Sequence, residues 1–132
     1  MQEQKLSREA FRILHDKGTE RPFTSELLDE KRRGEYVCAA CGSKLFSSQS
    51  KFNSGSGWPS FYDKLAAVEI TENNVVDRYV NLRREVHCAK CGGHLGHLFE
   101  DGFRWKVPTG KRFCINGAAL KFEEEEKLSS NK

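Results

Sequence analysis

The sequence predicts a mainly β fold, with short helices confined to its N-terminal end. Three observations carry that prediction. After Gly34 the chain breaks into short runs of alternating apolar and polar residues separated by glycine-rich turns. Val68 and Ile70 alternate with Glu69 and Thr71, the period of two that buries one face of a strand and leaves the other wet. Two matched units, Cys38-Ala39-Ala40-Cys41-Gly42 and Cys88-Ala89-Lys90-Cys91-Gly92, each mark a tight turn. The 132 residues suffice for one domain with a modest core. They divide into a helical or loop segment over 1–33 that packs on the domain, a β unit over 34–122, and a frayed acidic tail over 123–132.

Taken in order, residues 6–17 read as a helix. Ser7 suits its N-cap because its hydroxyl can accept an otherwise unpaired amide of the first turn. Leu6 and Phe11 sit as a hydrophobic staple would place them. Ala10, Phe11 and Leu14 are expected on the buried face, and Gly18 as a left-handed stop. Residues 19–34 fit a short helix over 25–33 or a tethered loop equally well. Strands are expected over 35–37, 67–71, 75–82, 84–88 and 112–122, with Asn73-Asn74 as a hairpin turn. Residues 46–61, rich in Ser and Gly, read as loop.

Composition excludes some function classes. Hydrophobic residues make up 37% and charged residues 31%, and no apolar run approaches the roughly 20 residues that span a bilayer. No membrane association is expected, and the N-terminus lacks the apolar stretch of a signal peptide, so the cytoplasm is the expected location. A net charge of +3 is too small to predict a nucleic-acid partner. Nothing demands more than a monomer.

The five cysteines are more informative. Two residues between paired cysteines let one turn aim both sulfurs at a common point. Four thiolates from two such turns suit one tetrahedral zinc ion and leave no coordination position open, so Cys38, Cys41, Cys88 and Cys91 are expected to hold a structural zinc. The 46 residues between Cys41 and Cys88 exceed the roughly 15–20 of the common four-cysteine pattern. The ion would therefore pin the ends of a long insertion.

Cys114 is left over, in Lys111-Arg112-Phe113-Cys114-Ile115-Asn116-Gly117. In a strand, Arg112, Cys114 and Asn116 share one face while Phe113 and Ile115 enter the core. A guanidinium beside a thiol favours the reactive thiolate, although a lone cysteine is equally compatible with an inert core position. His94 and His97 follow the second turn, with Asp101 close behind. Histidine suits proton transfer near neutral pH, and Asp101 could orient or charge one ring. Residues three apart do not share a strand face, so Gly96 would have to turn one of them. Trp58 and Phe61, in Gly57-Trp58-Pro59-Ser60-Phe61, are either core aromatics or the wall of an apolar pocket.

Together these segments resemble the methionine sulfoxide reductase B family, specific for the R epimer. The resemblance spans Gly34 to Phe122 and rests on the two knuckles, Lys44-Leu45-Phe46, Lys51-Phe52-Asn53-Ser54-Gly55, Gly57-Trp58-Pro59-Ser60-Phe61, His94-Leu95-Gly96-His97-Leu98-Phe99, Pro108-Thr109-Gly110 and Arg112-Phe113-Cys114-Ile115-Asn116. It implies two antiparallel β-sheets and one structural zinc. It implies Cys114 as nucleophile, Trp58 at the substrate methyl with Phe61 as a substrate-binding candidate beside it, and His94, His97, Asp101, Arg112 and Asn116 as the polar set, with His97 the expected proton donor and His94 assisting. The implied substrates are oxidised peptides and proteins, and thioredoxin or another external thiol is the implied reductant. Many relatives carry a resolving cysteine just before the tryptophan, where this chain has Ser56. Gly117 stands where relatives often have serine. A non-enzymatic zinc-binding β module that contacts protein or nucleic acid is the alternative; it explains the paired cysteines but gives Cys114, His97 and Trp58 no common role.

Overall fold

A computed structural model describes residues 7–16, 18–71, 75–76 and 82–125. The helix α1 spans Arg8–Asp16 and is N-capped by Ser7, whose Oγ accepts the Ala10 N–H at 3.0 Å. Helical periodicity buries Ala10, Ile13 and Leu14 on one face. Phe11, expected on that face, is instead half exposed and packs its ring on His15 at 4.4 Å. Gly18 does not adopt the left-handed conformation expected of it; its N–H closes the helix end on the Arg12 carbonyl. Leu6 and the turn at Asn73-Asn74 lie outside the described residues. Residues 19–33 run as turns with no helix.

Two antiparallel sheets follow. The smaller contains β1 (Gly34–Cys38) between β10 (Leu120–Glu124) and β2 (Lys44–Ser47). The larger runs in the order β3 (Lys51–Phe52), β4 (Ser60–Phe61), β9 (Arg112–Ile115), β8 (His94–Phe99), β7 (Leu82–Cys88) and β5 (Val68–Ile70), with β6 (Val75–Val76) also paired to β7. The predicted strand over 75–82 is not continuous, since Val76 pairs antiparallel with Leu82; residues 77–81 lie outside the described residues. The predicted strand over 112–122 is two strands, because a 3-10 turn over Gly117–Ala119 carries the chain from the larger sheet to the smaller. That step returns Leu120 to the core. Strands β2, β3 and β4 occupy a region read from composition as loop. Glu123 and Glu124, at the start of the segment read as frayed, pair with Glu35 and Gly34 of β1.

Aromatic side chains fill the space between the sheets. Phe46 stacks on Phe61 at 4.4 Å, and Tyr36 meets Phe61 edge-on at 5.0 Å. All three are fully buried, each such burial contributing roughly 1.5–3 kcal/mol. Phe61 thus belongs to the core and not to a substrate pocket, because in β4 it faces Phe113 while its neighbour Ser60 faces Cys114.

Candidate active site and metal centre

The two knuckles have the same local geometry. In each, the N–H of the glycine donates to the carbonyl of the first cysteine at 2.8 Å (Gly42 to Cys38, Gly92 to Cys88). Both glycines take a positive φ, 78° and 77°, which a residue with a Cβ rarely adopts. The knuckles follow the ends of β1 and β7, so they join the smaller sheet to the larger. Their sulfurs converge: Cys38 lies 3.7 Å from Cys91, Cys41 lies 3.6 Å from Cys88, and all four fall within 4.8 Å of one another. Cys38 and Cys88 are fully buried. The Cys88 thiol is pulled well below its ordinary value by the hydrogen bond from Cys38, whose own proton is correspondingly held. A convergent, partly buried set of four soft donors fits a metal ion.

Cys114 sits in the middle of the larger sheet, opposite Ser60 on one side and His97 on the other. His97 is in turn opposite Glu85. Glu85, His97 and Cys114 therefore form a row across three adjacent strands. The carboxylate of Glu85 reaches both histidines, at 3.1 Å from His97 Nε2 and 3.3 Å from His94 Nδ1.

A β-bulge makes that possible. Val86 pairs with Gly96 and His87 with His94, leaving Leu95 as an extra residue. The insertion brings His94 and His97 to the same side of the sheet, their rings 5.5 Å apart, although strict alternation would separate them. The backbone does not turn at Gly96, contrary to expectation. Glycine is needed there because a Cβ would run into the Cys114 carbonyl on β9. The Leu95 carbonyl, on the β9 side of the strand, accepts both the backbone N–H and the side-chain Nδ2 of Asn116, each at 2.9 Å. Asn116 is buried, so it holds the bulge and does not sit on an open face as the sequence suggests.

Asp101 does not orient a histidine. It makes a bidentate pair with Arg112, Oδ1 to Nε and Oδ2 to Nη2, both at 3.0 Å. The guanidinium also lies 4.3 Å from the Phe99 ring centroid. The row opens on a cavity of about 180 Å³ lined by Thr19, Trp58, His97, Phe99, Cys114 and Asn116. One wall is aromatic and the other polar. Burial pushes the Cys114 thiol up, while a hydrogen bond with Ser56 and the charge of Arg112 pull it back and Asp101 opposes them. The free thiol is thus less acidic than the sequence alone suggests. Ser56 Oγ lies 3.7 Å from Cys114 Sγ and continues into a hydroxyl chain through Ser54, at 2.8 Å, to Ser60 at 2.7 Å.

Of the residues expected at the site, the structure brings Trp58, His97, Cys114 and Asn116 around one cavity, with His94 and Arg112 behind it. Glu85 and Phe99 were missed as participants, and Ser56, noted from the sequence only as standing in place of a resolving cysteine, proves to touch Cys114. Glu85 can be found only once the register of β7 against β8 is known.

Residues 6–124 match the family model described as the SelR domain. Among curated proteins, the chain is 50% identical over 121 residues to a peptide methionine sulfoxide reductase MsrB of Methanosarcina barkeri, covering 92% of this chain and 82% of the relative. It is 52% identical over 123 residues to the protein of that name in Leifsonia xyli, covering 92% and 85%. The corresponding protein of Leptospira interrogans is 51% identical over 125 residues, covering 91% and 88%.

Proposed function

The chain belongs to the SelR domain family, the methionine sulfoxide reductases of B type, and on that premise we propose that Cys114 is the nucleophile of its reaction. The protein is an oxidoreductase that reduces the R epimer of methionine sulfoxide in peptides to methionine. The Cys114 thiolate attacks the sulfoxide sulfur, His97 protonates the sulfoxide oxygen, and the oxygen ends on the cysteine as a sulfenic acid while the methionine thioether leaves reduced. Trp58 and Phe99 receive the methyl group, an apolar end distinct from the dipolar S–O end.

The observation that supports this reading best is the row Glu85–His97–Cys114 opening on one half-aromatic cavity. Glu85 fixes the His97 ring and pairs with it when it is protonated. His94 supports the same carboxylate from the buried side. Arg112 and Asp101 set the charge beside Cys114, and Asn116 acts through the bulge.

Ser56 stands 3.7 Å from Cys114 and cannot form a disulfide. The sulfenic acid therefore awaits an external thiol, thioredoxin or another, which condenses with it to a mixed disulfide and water; a second thiol releases Cys114. The four-cysteine cage is proposed to hold zinc. Tetrahedral Zn–S bonds of about 2.3 Å place sulfurs about 3.8 Å apart, close to the 3.7 and 3.6 Å found. Held by Cys38, Cys41, Cys88 and Cys91, such an ion would link the two sheets, and four thiolates would leave it no open position for chemistry. No helix among the described residues is long and apolar enough to cross a membrane. A monomer acting on oxidised proteins in the cytoplasm is the proposed setting, with 34–122 as the catalytic unit.

The test is direct. The purified chain, dithiothreitol and each epimer of a methionine sulfoxide peptide should give a product one oxygen lighter with the R form only. No product from either epimer, with metal bound, would overturn the reading in favour of a non-enzymatic module.

A further inference from the structure

Residues 19–25 belong to neither sheet, yet they are tied to both walls of the cavity through one buried acid. Glu20 is 2% exposed. Its carboxylate accepts the N–H groups of Gly117 at 2.6 Å and Ala118 at 3.1 Å, just beyond the strand that carries Cys114. Its own N–H donates to Asn116 Oδ1, and its carbonyl accepts the Trp58 indole N–H, both at 3.0 Å. Neighbouring residues press the segment down. Phe23 N–H donates to the Gly57 carbonyl at 2.7 Å, Pro22 and Phe23 cover the open side of Gly57, and Ser25 covers that of Gly117. Thr19 lines the cavity itself. Burying a carboxylate is unfavourable unless its acceptors are filled; here the Gly117 and Ala118 amides fill them, and that anchor holds the backbone groups of Glu20 against Asn116 and Trp58 of the cavity.

We propose that residues 19–25 form a strap across the cavity and that Glu20 is its positioning residue, fixing the Trp58 ring and, through Asn116, the Leu95 bulge that aligns His94 with His97. The strap thereby sets the affinity for the sulfoxide substrate. This rests on the reading of the cavity as the sulfoxide site, which the experiment can separate from it.

In the full-length, metal-loaded chain, Glu20→Gln and Glu20→Ala should raise KM for an R-sulfoxide peptide about tenfold or more, the scale of losing a hydrogen bond to a charged group, with kcat changed less. Gln leaves an amide donor facing a second amide donor. In a Trp105→Phe background, the emission of Trp58 should shift to the red and become more accessible to acrylamide when Glu20 is replaced. Folded Glu20 variants with parental KM and parental Trp58 emission would overturn the proposal. If neither Glu20 variant folds, Trp58→Phe decides: it keeps an aromatic ring but loses the bond to the Glu20 carbonyl together with part of the ring surface, and an unchanged KM would overturn the strap. A parental chain that reduces neither epimer would defeat the proposed function, while the Trp58 emission would still test the strap.

Discussion

Replacing Ser56 by cysteine should convert the one-cysteine cycle into a two-cysteine cycle. The hydroxyl already lies 3.7 Å from Cys114 Sγ across a sequence separation of 58. A thiol at that position can attack the sulfenic sulfur, forming the disulfide and releasing water. Closing a loop of that length removes about 4 kcal/mol of chain entropy from the unfolded state, an upper value for an unstrained bridge. At about 3 °C per kcal/mol for a chain of this size, the oxidised variant should melt up to about 12 °C higher than its reduced form. The assay is intact mass after one turnover without reductant, with dimedone as the trap. The parent should give a dimedone adduct at Cys114, and the variant a species two hydrogens lighter with no adduct. A variant that retains a dimedone-reactive Cys114 would show that Ser56 is not held within reach. A parent that itself forms an internal disulfide would refute the single-cysteine cycle.

Glu85→Gln should keep the fold but lower kcat about ten- to a hundredfold, less than the roughly hundred- to ten-thousandfold of losing an acid–base group outright; steady-state kinetics with unchanged rates would remove Glu85 from the mechanism. Cys41→Ser should lose the bound metal, measured by elemental analysis, together with several kcal/mol of stability, since ion binding of this kind is itself folding free energy. Retention of a full equivalent of metal by that variant would count against the cage. The pH dependence follows from the raised Cys114 thiol, whose neutral form burial favours. Iodoacetamide modification of Cys114 should rise with pH through a midpoint above the ordinary thiol value of about 8.5. Arg112→Ala should move that midpoint further up, since it removes a charge that holds the thiol down. A midpoint at or below the ordinary value would contradict the environment described.

What the sequence revealed was what local geometry decides. A Cys-x-x-Cys-Gly turn is the same object wherever it sits, so the cage could be read from spacing alone. The alternation over 112–115 likewise placed Phe113 and Ile115 in the core and Cys114 on the other face. Features that depend on pairing were not visible. Phe61 could be read as core or as a pocket wall beside Trp58, and only its register opposite Phe113 decides for the core. Asp101 was assigned to a histidine because it follows closely in sequence, whereas the sheet brings Arg112 to it and Glu85 to the histidines. Phe11 was taken for a core residue on its chemistry, but the helical period selects Ile13. The tail signal of consecutive glutamates was overridden by an available edge on β1, whose backbone groups pair with Glu123 and Glu124.

The extra residue at Leu95 makes the alignment of the two histidines depend on counting, not chemistry. Substituting Leu95 leaves the number of residues between Val86's partner and His94 unchanged, so what a side-chain change costs there reports the burial of Leu95 in the core and not the bulge. Deleting it would shift His94 to the opposite surface of the sheet and leave the Asn116 amide facing a carbonyl already engaged. Among variants of this chain, a changed letter at Leu95 should therefore cost stability while keeping the two histidines aligned, whereas a gap at the same place should undo the alignment itself.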